Sequence, residues 1–311
     1  MAENHRGFRG GTLVLGAGEL GVAVLRALSE RRGVLRSPAL TVLLRPIGDA
    51  TSNRDVEEQA ESLNALGVTI VRADLASNDQ AALAAMFAPF STVICCTGFV
   101  GGPGTQRKIT GAVLQAGVAR YVPWQFGVDY DKVGYGSGQD VWDEQLDVRA
   151  MLRAQSRTRW VIVSSGMFTS FLFEPSFGVV DLSNDQVHAL GSWDNEVTVT
   201  TSADIGRLTT AILSIQPELE GVVFVAGDTV SYAELAATME QVLDRPIKRV
   251  LWSVQQLQSD LATNPGDDIK KYRLAFARGT GVAWAKDRTF NAEHGIPVDD
   301  LRTWLRAQPR A

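Results

Sequence analysis

The chain has 311 residues, 45% of them hydrophobic and 21% charged, enough for one large domain or two closely joined ones with ample core. A formal net charge of −5 without a basic block argues against nucleic acid as a partner. No apolar run reaches the roughly 18 residues of a membrane span, and residues 1–10 read as a loose tail without the apolar segment of a signal peptide. The expectation is a cytoplasmic protein. Cys95 and Cys96, adjacent in an apolar run, read as small core residues of a reducing compartment. The three histidines, His5, His188 and His294, are far apart, and with no H-E-x-x-H or C-x-x-C the expected metal site is none.

In chain order, the apolar run Leu13-Val14-Leu15 enters Gly16-Ala17-Gly18-Glu19-Leu20-Gly21, and a helix follows over 22–28, stopping near Gly33. This is G-x-G-x-x-G in the strand-to-helix setting of a dinucleotide-binding turn. The first glycine permits the sharp turn, the second admits a pyrophosphate to the backbone, and the third lets helix and strand pack closely. The helix N-terminus then offers free N–H groups and the positive end of its dipole. A strand over 39–44 closes at Arg45-Pro46, and a helix over 55–66 ends at Gly67. A strand over 68–71 leads to Arg72-Ala73-Asp74-Leu75, and a helix covers 79–87. The strand over 92–96 ends in Thr97-Gly98, the helix over 105–115 ends at Gly117, and a fifth strand covers 119–123. Strands apolar throughout, separated by helices, predict a doubly wound parallel α/β sheet covered on both faces. Ligands of such sheets bind outside the carboxyl ends of the strands, which gathers Gly16 to Gly21, Arg45, Asp74, Leu75, Thr97, Gly98 and 123–127 on one edge.

The second strand ends in Arg45 where an NAD site often has a carboxylate for the ribose hydroxyls. A guanidinium pairs with a 2′-phosphate, so NADP(H) is the expected cofactor. The alternative is a solvated arginine at a strand end. Asp49 lies in the following loop, and Asp74 is placed nearer an adenine than the ribose.

Beyond this, a helix spans 139–155 and a strand 160–164. Residues 166–175 are apolar and aromatic, with Met167, Phe168, Phe171, Leu172 and Phe173. Short strands are expected over 179–182, 187–190, 197–200 and 222–226, and a helix from an N-cap region at Ser202-Ala203-Asp204 to Leu213. Ser231 and Glu234 form a capping-box pattern for a helix through Leu243. From Trp252 onward the chain reads as helices with loops. The expected division is an NADP-binding domain over 1–165 and a smaller α/β substrate lobe over 166–311, partly interleaved with the first.

These motifs resemble the NmrA-like and isoflavone reductase-like group of atypical short-chain dehydrogenases, which includes phenylcoumaran benzylic ether and pinoresinol–lariciresinol reductases. The resemblance spans nearly the whole chain. It is carried by Gly16 to Gly21, Leu43-Leu44-Arg45, Arg72-Ala73-Asp74-Leu75, Gln106, and the run from Gly117 through Pro123-Trp124-Gln125-Phe126-Gly127. It implies an NAD(P)-binding Rossmann fold and adds Gln106, Trp124, Phe126 and Gly127 to the cofactor contacts. It also implies a flat aromatic substrate pocket lined by Met167, Phe168 and Phe171, for which ordinary core is the alternative.

Two departures are visible. Trp124-Gln125 stands where the family has Ser-Glu, and Gln145 stands where the isoflavone reductase-like branch carries a lysine general acid/base. No tyrosine is followed four residues later by lysine, so the ordinary short-chain dehydrogenase pair is absent. Val141, Gln145, Val148 and Leu152 share one helix face, which makes Gln145 an amide on an inward stripe, either a ligand contact or a core amide satisfied by backbone. Glutamine cannot shuttle protons but can hydrogen-bond a carbonyl that gains charge. Tyr135, in a loop with Gly134, Gly136 and Gly138, is the candidate proton donor. Tyr130 lies in the same loop. Asp143, Glu144 and Asp147 read as a solvated helix face.

The resemblance implies an NADPH-dependent reductase of aromatic or conjugated small molecules, such as quinones, enones, aromatic carbonyls or phenylpropanoid-type compounds, with aromatic alcohol reductase activity in its range. The alternative is a non-catalytic NADP-binding redox sensor. A homodimer is compatible with either.

Overall fold

The computed structural model describes residues 10–31, 39–47, 53–99 and 101–308. The expected loose tail before residue 10, the helix stop near Gly33, and Asp49 lie outside the described residues.

The first half alternates strand and helix: β1 (Thr12–Leu15), α1 (Glu19–Glu30), β2 (Leu40–Leu44), α2 (Asn53–Ala65), β3 (Thr69–Arg72), α3 (Gln80–Phe87), β4 (Thr92–Cys95), α4 (Thr105–Ala116) and β5 (Arg120–Val122). A single turn, α5 (Tyr130–Val133), precedes α6 (Asp140–Arg153) and β6 (Arg159–Ser164). Then come β7 (Met167–Phe168), α7 (Thr169–Leu172), β8 (Val180–Asp181), β9 (Gln186–Leu190), β10 (Glu196–Thr200), α8 (Ser202–Ser214), β11 (Gly221–Phe224) and β12 (Asp228–Ser231). The chain closes with α9 (Tyr232–Leu243), β13 (Lys248–Trp252), α10 (Val254–Thr263), α11 (Asp268–Ala277), α12 (Phe290–Glu293) and α13 (Leu301–Ala307).

Among the described residues a seven-stranded sheet runs in the order β11-β6-β5-β4-β1-β2-β3. Strands β1 to β6 pair in parallel. This is the doubly wound arrangement the apolar strands demand: β1 and β2 are buried at every position because helices cover both faces. Strand β3 departs from that rule. Its side chains are mostly exposed, since it is an edge strand with a neighbour on one side.

The chain divides into two units whose segments alternate along the sequence. The first comprises residues up to Trp124, Asp147–Ile162 and Gly206–Val222. Its core is built on Leu13, Leu15, Val93, Ile109, Val113 and Tyr121. The second comprises Gln125–Leu146, Val163–Ile205 and Val223–Ala311. Two three-stranded sheets, β12-β10-β7 and β13-β9-β8, form around a separate core that includes Phe177, Val187, Leu235 and Phe276. Strands β12 and β13 are not among those expected from the sequence. Asp228-Thr229-Val230-Ser231 carries one apolar side chain, and β13, which opens on Lys248-Arg249 before Val250-Leu251-Trp252, is a largely exposed edge strand. The apolar segment over 166–175 resolves into β7 and the single turn α7.

Candidate functional site

In the first unit, β1 lies between β2 and β4, and the strand order reverses there. That reversal is the switch point at which open α/β sheets hold ligands. The turn after β1 and the Thr97-Gly98 turn after β4 both leave the sheet at this point. Gly16 has φ +88° and donates its N–H to Leu43 O at 2.9 Å. A Cβ on Gly21 would lie 2.2 Å from Gly16 O, so α1 can approach β1 only with glycine there. Gly18 differs. It is the N-cap of α1 with extended backbone, no side chain caps the helix, and a Cβ would meet nothing within 4 Å. The protein's own packing therefore demands Gly16 and Gly21, whereas Gly18 keeps an open approach to uncapped first-turn N–H groups. Glu19 is exposed beside this cradle. Leu20 is buried in the core.

At the ends of β2 and β3, Arg45 and Arg72 are both exposed, and Arg72 Nη1 donates to Arg45 O at 2.9 Å. Asp74 accepts from Ala76 N at 2.8 Å. That bond and one from Ser77 hold its carboxyl below the usual range, with the Arg45 charge contributing. Leu75 is buried. Asp74 thus caps its own turn.

At the ends of β4 and β5, the buried Gln106 donates through Nε2 to Gly98 O, and its Oε1 accepts from Cys95 Sγ at 3.6 Å. Both ends of the amide are engaged on the strand and its turn, so Gln106 fixes the position of Thr97-Gly98. The Trp124 indole lies against Gly98, 3.6 Å from where a Cβ would stand, and meets Phe99 edge-on at 4.3 Å. Cys95 and Cys96 are buried, which pushes both thiols up and leaves them inert core residues as expected.

The second unit holds the other sequence-derived candidates. Gln145 is 0% exposed. Its carbonyl accepts from Gln125 Nε2 at 2.8 Å, and its own Nε2 reaches Val141 O at 3.5 Å, the limit of a hydrogen bond. Its Oε1 is buried without a partner. Backbone thus meets one end of this amide, through the long contact to Val141, and not the other. Phe126 is buried, and the Tyr130 hydroxyl lies 2.5 Å from where a Cβ on Gly127 would stand. Of the two loop tyrosines, Tyr130 is thus held against the Phe126-Gly127 turn, while Tyr135 is 63% exposed. The loop is pinned by Gly136 N donating to the Asp143 carboxylate at 3.1 Å. Met167 belongs to the core, Phe168 is half-buried, and Phe171 stacks on Phe177 at 4.5 Å.

The helix face read as solvated is mixed. Asp147 pairs with Arg107 at 2.9 Å, but Glu144 is buried, because α6 turns that position inward. Ser165, fully buried with an unpartnered Oγ, is not among the residues expected from the sequence. Its one sequence signal is a second hydroxyl directly after Ser164, the last residue of the largely apolar β6. Among the described residues, no cluster of His, Cys, Asp and Glu could hold a metal ion, and no helix is long and apolar enough to cross a membrane.

The sequence pattern of the NmrA-like family matches residues 12–282. The chain belongs to the NmrA-like family. It is 43% identical over 296 residues to an "NmrA-like family domain-containing oxidoreductase" of Gibberella moniliformis, covering 94% of this chain and 96% of the relative. The fold of this NmrA-like chain is similar to that of an isoflavone reductase structure, with a TM-score of 0.76, 21% identity, and 94% and 97% of the two chains covered. It is likewise similar to an NADPH-dependent quinone oxidoreductase from Escherichia coli, with a TM-score of 0.69, 19% identity, and coverage of 94% and 98%.

Proposed function

We propose that this NmrA-like chain is an NADPH-dependent oxidoreductase that reduces an aromatic or conjugated small molecule. The observation that carries the reading is the open Gly18 cradle at the switch point, with the uncapped N-terminus of α1 behind it and Arg45 exposed at the end of β2. The names of the Gibberella relative and of the two solved structures support the same class. The residues present fit NADP(H): first-turn N–H groups suit a pyrophosphate, and a guanidinium suits a 2′-phosphate. When bound, the cofactor supplies the hydride. Gln106 holds the Thr97-Gly98 turn in place, and Trp124 forms an aromatic wall on it.

In the second unit, Gln145 orients the substrate through its side-chain amide, with its backbone fixed by Gln125; the unpartnered Oε1 accepts from a substrate hydroxyl, and a carbonyl substrate needs the NH₂ instead. Inverting that amide would present the N–H₂ instead, at the loss of one long contact to Val141. Gln145 does not titrate, so the reading favours quinones or activated carbonyls, which accept hydride without an acid at that position, over benzylic ethers. Tyr135, in contact with water, exchanges its proton with solvent and stands as the proton source. Of the aromatic segment, Phe168 and Phe171, both half-buried, are the residues offered to the substrate, while Met167 is taken up by the core.

The test is NADPH consumption by the purified protein against quinones, aromatic aldehydes, conjugated enones and a lignan benzylic ether. Turnover of quinones or aldehydes is expected. Bound NADPH with no turnover on any of them would sink the reductase reading. It would favour a non-catalytic NADP-binding sensor, the reading that a non-titrating Gln145 also suits.

A further inference from the structure

The end of β2 poses an electrostatic problem that Arg45 does not solve by itself. A 2′-phosphate carries about −1.5 to −2 charges near neutral pH. Arg45 brings one positive charge, but Asp74 stands close enough for the two to attract each other. One guanidinium does not balance a dianion, and a carboxylate within its influence weakens the field it offers.

Arg72 changes that balance. It is the last residue of β3, in register with Leu44, the residue before Arg45. At this exposed edge of the sheet an apolar side chain is not needed, so a long cation can occupy the position. Its guanidinium does not trail into solvent. Nη1 donates to Arg45 O at 2.9 Å, which ties the planar group to the backbone at the carboxyl end of β2 and leaves its other donors free. A guanidinium held in this way loses less freedom on meeting a phosphate than a mobile side chain would. With Arg72 included, the local charge becomes net positive.

We propose that Arg72 is a second cation of the 2′-phosphate site and that it, with Arg45, makes the chain prefer NADP(H) over NAD(H). The inference rests on the NADP(H) reading above.

The experiment is calorimetric binding of NADP⁺, NAD⁺ and 2′,5′-ADP to the full chain and to Arg72→Gln and Arg72→Lys. For Arg72→Gln, the Kd for NADP⁺ and for 2′,5′-ADP is expected to rise about tenfold, while that for NAD⁺ stays within about twofold. The NADP⁺ affinity should also lose part of its salt dependence. Arg72→Lys, which keeps the charge but not the fork, is expected to fall between. A thermal melt without ligand shows whether each variant is folded. If Arg72→Gln weakens NADP⁺ and NAD⁺ equally, Arg72 merely holds the strand end and the proposal is overturned. Unchanged NADP⁺ binding overturns it as well. If the unsubstituted protein binds neither NADP⁺ nor 2′,5′-ADP, the cofactor reading itself fails and takes this inference with it.

Discussion

Gly18 and Gly21 are three residues apart in one motif, yet their surroundings give them different roles. A Cβ at Gly21 collides with Gly16 O at 2.2 Å, so Gly21→Ala is expected to lower stability by about 3 kcal/mol, read from denaturant midpoints. At Gly18 the space is open and the backbone conformation suits any residue. Gly18→Ala should change stability by less than about 1 kcal/mol, while NADP⁺ affinity falls about tenfold by calorimetry. Gln145 shows the opposite tension. A buried unpartnered acceptor costs about 1–3 kcal/mol, so Gln145→Leu should be as stable as the parent or more so in thermal melts. The same variant should raise KM for the best substrate. A gain in stability with no change in kinetics would remove Gln145 from the site. Tyr135 is the proposed proton source, so Tyr135→Phe is expected to lower kcat by about tenfold or more; an unchanged kcat would pass that role to water, which reaches this exposed position.

At the scale of elements, helix ends separate structural from ligand-binding termini. Helix α9 closes with a capping box: Ser231 Oγ accepts from Glu234 N at 3.1 Å, and the Glu234 carboxylate accepts from Ser231 N at 2.8 Å. Those bonds hold the Glu234 carboxyl below its ordinary value. A lowered carboxylate pKa stabilises the fold at pH above the unfolded value of about 4.3 and loses that contribution as the pH falls through the folded value. Glu234→Gln should therefore flatten the stability profile in acid, measured by urea unfolding between about pH 3 and 6. Ser231→Ala should cost about 1 kcal/mol at neutral pH. The capping box was legible in the sequence because both partners lie within four residues. Helix α1 has no such cap, and its glycine signature was equally local. Strand β12 was not legible, since a partner about thirty residues back along the chain, and not its own composition, makes it a strand.

For the molecule as a whole, a ligand that binds the folded chain raises its apparent stability by mass action. NADP⁺ at 100 times its Kd should add about 2.7 kcal/mol, visible as a rise in Tm, and NAD⁺ at the same concentration should add less. The doubly wound sheet was legible because buried parallel strands must be apolar along their whole length, which leaves a pattern any reading of periodicity finds. The division into two units whose segments alternate is less accessible, because it depends on which distant segments pack together.

The sequence by itself determined the sheet, the glycine turn, the arginine at the end of β2 and the amide at position 145. Each is written within a few consecutive residues or in a short period. The tertiary structure decided what those groups are free to do. It engaged Gln106 on Gly98, placed Arg72 on the Arg45 carbonyl, buried Glu144, and left Gln145 Oε1 and Ser165 Oγ without partners. The physical reason is that a hydrogen bond or a burial depends on atoms brought together from separate parts of the chain, and no local pattern records which ones will meet.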